Sequence, residues 1–528
     1  MPRSEAETPD AAVHRRAPAA SEAAGGTGMR SPAAYRWAVR HIWVWPTLAA
    51  LLITTFRAGR PEMGQDELIS WEMSTRSMGR IIDTVQNVDG VHAAYYLLLH
   101  VWTELFGDSL YSLRGPGILA MTGATAFVAL SARLRFGNAA ALASGLLFCL
   151  VPSVTRYAHD VRSYALVMFC VAGATWALLR ALERPTVWCW LAYVPFVAGA
   201  GVLHVVSLTF LSGHAAVVLL RCAGRRSLRL LLGFAPAVLV GVLCTLPVVR
   251  LGQAQAGRQI GWLQKPTLHD LPAMWPGLFA GTAVSVAVLA CAALPLAWRG
   301  GRLPALEFAL LGLLPLFAVW VFSMEGQSSY WLARYVLFTV APFVVLAGAG
   351  IAALRPRALG ALVLAVIALL ALPDQRFMRT VGSHDWFTYP ALPPYGLSTH
   401  TVDFRGAAAV LEKGYRPGDG VVYLHDPLDW RSVNYGVGYE LPRSMKMRDV
   451  FVQQSAVARN DIWSVSCPEP AKCLGPEPRL WVVTLGVDQS NPFPTIPQAQ
   501  VDAITGAYRV AEVHRLADMT VTLVVKAQ

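Results

Sequence analysis

Three short stretches hold the side chains suited to acid–base or phosphate chemistry, in a chain of which only 15% of the residues are charged. The first runs from Gln65 to Tyr96, opens with the adjacent carboxylates Asp66 and Glu67, and carries Asp89 and His92 near its far end. The second, YAHDVRSYAL, brings His159, Asp160, Arg162 and Tyr164 within a turn or two of one another. The third, LARYVLF, contains Arg334 and Tyr335, and a lone His204 lies in GVLHVVSL. A carboxylate can take the proton of a hydroxyl as general base. A guanidinium presents a fork of donors that matches a phosphate. Together these types suit transfer from a phosphate-linked donor to a hydroxyl.

Each group also has a plainer explanation. Acids in a polar loop only face water. Arg162 and Arg334 each open an apolar run, where a long cation snorkels to lipid headgroups. His159 and His204 are of a kind more often packed or capping than catalytic, Asp160 has Arg162 close by as a partner, and tyrosines at the ends of apolar runs commonly anchor at the membrane interface.

Deciding between these requires the elements that carry the residues. The chain has 528 residues, 55% of them hydrophobic, and a mean hydropathy of +0.44. Apolar runs of about 20 residues recur along most of its length, which is the pattern of membrane spans and not of several soluble domains. The net charge of +11 falls in short clusters between apolar runs, as cytoplasmic loops require, so it argues for membrane topology and against a nucleic-acid partner.

The first run, 37–56, follows Arg30, Arg36 and Arg40, which places the N-terminus in the cytoplasm. Residues 1–35, rich in Ala, Pro, Ser and Glu, read as a disordered tail. The piece HAAYYLLLHVWTELFG is too short to cross and reads as a helix lying on the outer membrane surface. Spans then follow at 113–133, 138–157, 162–182, 187–203, 205–221, 229–249, 276–297, 304–323, 335–353 and 358–373. Every inward loop is basic: Arg133 and Arg135; Arg180 and Arg184; Arg221, Arg225, Arg226 and Arg229; Arg299 and Arg302; Arg355 and Arg357. The expectation is a polytopic α-helical membrane protein of about eleven spans, with its C-terminus outside. All the candidate groups then share the outer face, where charges are costly unless paired or used, so a polar cavity is expected there.

Residues 374–528 change character. DFRGAAAVLEKGYRPGDGVVYLHD reads as an amphipathic helix, a Pro-Gly turn and a short strand. Further strands are expected at Leu480–Leu485, Tyr508–Leu516 and Thr520–Val525, making a small external α/β domain. Cys467 and Cys473 lie in this polar part, close enough for a small disulfide loop in an oxidising compartment. The other six cysteines lie in or beside apolar runs and read as packing groups.

The order of these features resembles the GT-C superfamily of polyprenyl-phosphate-sugar-dependent glycosyltransferases, above all the protein O-mannosyltransferases and the aminoarabinose and lipopolysaccharide-core transferases. The resemblance covers 37–373. It rests on Asp66-Glu67 after the first span, on His92-Ala93-Ala94-Tyr95-Tyr96 where the family has His-Pro-Pro-x-Tyr-Tyr, on LFGDSLYSLR ending in Arg114, on HDVRSYAL, and on LARYVLFTVAPF. It implies a GT-C transmembrane catalytic domain at 36–373, with juxtamembrane helices in the first external loop, followed by the external α/β domain. It implies an inverting transfer of a sugar, mannose among the choices, from a polyprenyl-phosphate donor to a cell-envelope lipid, glycan or protein at the outer face of the plasma membrane. Carried over by position, Asp66 is the base, Glu67 assists it or positions the acceptor, Asp160 supports the same pocket, and Arg162, Arg334 and Tyr335 hold the donor phosphate. His92, His159, Tyr164 and His204 are further pocket candidates. Two departures stand out: alanines at 93 and 94 replace the family's prolines, and the external domain is not the β-trefoil of eukaryotic protein mannosyltransferases. Some members bind a divalent metal and others do not, and no three-ligand cluster is visible here, so metal use stays open. The competing reading is a transporter or flippase of a lipid-linked substrate, against which stand the absence of an internal repeat and the grouping of charge on one face instead of at the midplane.

Overall fold

The computed structural model describes residues 37, 39–297, 301–380, 402–425 and 432–527, so the tail expected at 1–35 lies outside the described residues. The first described long helix is α1 (Val44–Thr55). Three short helices fill the polar stretch after it: α2 (Gln65–Thr75), α3 (Met78–Asn87) and α4 (Ala93–Phe106). At 14 residues, α4 rises about 21 Å, short of the roughly 30 Å hydrocarbon core of a bilayer.

The helices of the largely apolar part follow: α5 (Leu110–Phe136), α6 (Asn138–Leu150), α7 (Pro152–His159), α8 (Tyr164–Glu183), α9 (Val187–Leu203), α10 (Phe210–Arg225), α11 (Arg229–Leu243), α12 (Leu246–Gln259), α13 (Leu271–Phe279), α14 (Thr282–Ala297), α15 (Arg302–Glu325), α16 (Val340–Ala353) and α17 (Arg357–Phe377). Among the described residues six helices are long and apolar enough to cross a membrane, and up to nine if each of three bent pairs counts once. The bends have local causes. Pro152 cannot donate its amide to continue α6, and the chain turns 59° into α7. Between α13 and α14 the turn is 96°, made at Ala280, whose φ of +54° ends the helix. Large side chains such as Leu232, Phe317 and Leu369 face outward and are exposed, as a lipid-facing surface requires. α16 is buried almost all round.

Residues 402–527 form the expected α/β unit. Helix α18 (Phe404–Gly414) leads into β1 (Gly420–Val422), α19 (Val433–Glu440) and β2 (Arg448–Asp449). A small antiparallel pair, β3 (Val452–Gln454) and β4 (Val465–Ser466), precedes α20 (Pro470–Cys473). Then come β5 (Arg479–Leu485), α21 (Gln498–Ala507), β6 (Tyr508–Leu516) and β7 (Met519–Lys526). The main sheet runs β2-β1-β5-β7-β6, parallel on its first three strands and antiparallel thereafter. The strands read from the sequence are there, and Cys467 is bonded to Cys473.

One apolar cluster joins this unit to the first-loop helices, with Leu68, Ile69, Met73, Tyr95 and Tyr96 packed in the same core as Phe404, Val437, Trp481 and Val521. Ile42–Gln528 form one unit. Of Met1–His41 only a few residues are described, and there the His41 amide donates to the Trp37 carbonyl.

Candidate active site

Helix α2 begins where it does because Gly64 is extended and the Glu67 carboxylate accepts from the Gly64 amide at 3.1 Å. Two acids in its first turn also meet the positive end of the helix dipole. Neighbours on a helix point about 100° apart, and Asp66 and Glu67 accordingly part company. Glu67 turns inward, where Arg114 of α5 grips it at 3.1 and 3.2 Å and the Val161 amide donates at 3.3 Å. Asp66 keeps 33% of its side chain open.

Both Asp66 oxygens are engaged by arginines. Arg162 Nη2 donates to Oδ1 at 2.9 Å and Arg334 Nη1 to Oδ2 at 2.8 Å. Burial works against the Asp66 charge, but these two guanidiniums outweigh it and hold the carboxyl well below the usual carboxylate range. Arg162, itself buried, also donates to the Tyr96 hydroxyl at 2.7 Å and to Asp89 Oδ2 at 3.4 Å, and Tyr96 donates to Asp89. Asp89 precedes a short 3-10 turn, Gly90–His92, with φ +60°, a conformation that Asp tolerates better than most residues. Gln255 of α12 pins this turn by accepting from the Gly90 amide at 2.7 Å and donating to the Val85 carbonyl at 3.0 Å.

Aromatic rings wall the site. The Arg334 guanidinium lies 5.9 Å from the Tyr164 ring centroid and 5.8 Å from that of Tyr335. His204 approaches Tyr335 at 4.7 Å, Tyr164 at 5.7 Å and His92 at 6.4 Å. Burial, with the Arg162 charge, holds His92 down at about 4, so it is neutral at neutral pH. Among the described residues, neither His92 Nδ1 nor His204 Nδ1 has a hydrogen-bond partner. Asp160 is buried where α7 ends. Burial pushes its carboxyl up to about 6, with Arg156 opposing and the Glu67 and Asp66 charges reinforcing the shift.

Of the residues expected from sequence, Asp66, Arg162, Arg334, Tyr335, Tyr164, His92 and His204 are thus gathered in one cluster. Asp160 senses its charges from alongside. Glu67 is tied to Arg114 instead, and His159 faces α1, its Nε2 2.6 Å from the Thr54 carbonyl oxygen. Asp89 and Tyr96, named in the sequence but given no role there, belong to the cluster as well. Tyr96 closes the His92–Tyr96 motif and Asp89 was one of few acids in the loop, so both carried a signal. Among the described residues, no group of three or more His, Cys, Asp or Glu side chains is placed to hold a metal ion.

A model of the dolichyl-phosphate-mannose-protein mannosyltransferase family matches residues 93–250. No curated protein sequence matches the chain. Among solved structures, the chain is similar to ArnT from Cupriavidus metallidurans bound to undecaprenyl phosphate, with a TM-score of 0.58 and 16% identity over 93% of this chain and 98% of that one. The apo state of the same ArnT gives a TM-score of 0.57 at 16% identity, with equal coverage. The oligosaccharyltransferase AglB from Archaeoglobus fulgidus is more distant, at a TM-score of 0.43 and 12% identity over 84% of this chain and 70% of that one. Over 93% of its length this chain shares the fold of the Cupriavidus metallidurans ArnT.

Proposed function

We propose that the chain is an integral-membrane glycosyltransferase that moves a sugar, mannose among the choices, from a polyprenyl-phosphate donor to a hydroxyl of an envelope lipid, glycan or protein, with inversion. The observation that carries the reading is the carboxylate of Asp66 held between Arg162 and Arg334 beside an aromatic wall. A donor phosphate drawing on the same two guanidiniums would release an Asp66 oxygen to take the acceptor's proton, and the acceptor oxygen would then attack the anomeric carbon from the face opposite the phosphate. The ArnT of like fold is bound to undecaprenyl phosphate, which supports a donor of that chemistry here.

In the proposed topology the six long helices, the three bent pairs and the shorter apolar helices α1 and α9 make eleven passes of a plasma membrane. The N-terminus lies in the cytoplasm, and α2–α4 and the α/β unit lie outside. Use of a divalent metal is a matter for assay with and without chelator.

The test is a panel of polyprenyl-phosphate sugars offered to the purified protein in detergent. One donor is expected to be consumed, and Asp66→Asn to lower turnover by about 100-fold or more while changing donor affinity far less. Full activity of that variant removes Asp66 as base. Consumption of no donor, with gradient-driven lipid movement instead, replaces the enzyme with a transporter.

A further inference from the structure

Glu62 stands four residues before Asp66, in a segment that the proposed chemistry does not use. Its side chain is 1% exposed, and both its oxygens are engaged by a helix that lies more than three hundred residues away in sequence. Oε2 accepts from the Phe404 amide at 3.1 Å and Oε1 from the Arg405 amide at 3.2 Å. These are the first two amides of α18, which no carbonyl inside the helix can reach. The third, Gly406, donates to Asp403 at 2.7 Å. The first loop thus supplies two of the three caps of a helix in the C-terminal unit.

The contact is reciprocal. Arg405 donates to the Arg60 carbonyl at 2.9 Å and to the Gly59 carbonyl at 3.5 Å. From the membrane side Arg114 donates to the carbonyls of Ala58, Pro61 and Glu62 at 2.5, 3.0 and 3.4 Å while gripping Glu67. Residues 58–67 therefore form a strap held on one side by α5 and on the other by α18, and its end is the helix start that projects Asp66. A buried acid here is costly. Burial pushes Glu62 up to about 7 against the pull of the Arg405 and Phe404 amides. An alanine would instead leave those amides without an acceptor in a dry contact.

We propose that Glu62 is a positioning residue: by capping α18 it anchors the strap to the C-terminal unit and so fixes where Asp66 stands. This rests on the reading of Asp66 as base. Glu62→Gln keeps the shape but turns one acceptor into a donor that faces a backbone amide. In the full-length protein in detergent, amide hydrogen exchange should quicken both in α18 and at the start of α2. On the donor found with the panel, kcat should fall about 10- to 100-fold with KM nearly unchanged, as expected of a misplaced reacting group. Exchange confined to α18, or an unchanged kcat, overturns the proposal. If the wild type consumes no donor, the functional reading falls, and the exchange pattern alone decides the anchoring. Should Glu62→Gln not fold, Arg405→Ala, at a partly exposed side chain, is read the same way: protection at the start of α2 equal to wild type overturns the strap.

Discussion

Asp66 and Asp160 belong to one neighbourhood, yet their surroundings drive them in opposite directions. Two guanidiniums keep Asp66 ionised, whereas burial beside the Glu67 and Asp66 charges pushes Asp160 up to about 6. Such divergence separates the roles that two carboxylates can play. It also makes a stability prediction. Because the folded value of Asp160 lies above its unfolded one, protonation favours the fold at low pH, and that contribution is lost as pH rises through about 6. Asp160→Asn keeps the neutral form at every pH. Its melting temperature should approach wild type as pH falls to about 4, near the unfolded carboxylate value, and exceed it by a margin that widens up to about pH 7; thermal unfolding in detergent checks this, and a gap that does not change with pH refutes it. At this scale the sequence was readable where residue type sufficed, as in grouping Asp66, Arg162 and Arg334, whose side chains meet. It was not readable where the outcome turned on which way a side chain points. Asp66 and Glu67 look alike in a string of letters, and only their helical phase sends one to the arginines of the site and the other to Arg114.

At the scale of elements, the pair of Glu67 on α2 and Arg114 on α5 joins a first-loop helix to an apolar one. Both side chains are almost fully buried. Removing one partner of such a pair leaves an uncompensated charge and costs about 3–5 kcal/mol. Arg114→Ala should therefore lower the unfolding free energy by that amount, measured by denaturation in mixed micelles, and a loss below about 1 kcal/mol would mark the pair as dispensable. The strands 479–485, 508–516 and 519–526 were legible to within a residue or two because alternation and turn residues are local signals. The capping of α18 by Glu62 was not, since nothing local in either segment reports a partner so distant in the chain.

For the whole molecule, apolar runs and basic loops were enough to lay out the helices, while the sharp bends at Val151–Pro152 and Ala280–Gly281 break what reads as continuous hydropathy. The proposed orientation can be tested at two glycines around which an added side chain meets nothing, Gly79 of α3 and Gly224 near the end of α10. In intact cells a membrane-impermeant thiol reagent should label Gly79→Cys and spare Gly224→Cys. The reverse pattern would invert the protein.

The bridge from Asp66 to Arg162 and Arg334 has a consequence for where charge travels. Asp66 and Asp89 carry two negative charges among the two guanidiniums that contact them, so the cluster is neutral as it stands. A phosphodiester donor brings one more negative charge, and its departing monoester carries two. In the proposed reaction the proton that Asp66 gains cancels that second charge, and the total does not change between substrate and product. On that reading negative charge only moves from the carboxylate to the phosphate, past the two cations that flank Asp66, so the low-dielectric rim of the membrane is never asked to hold a new ion.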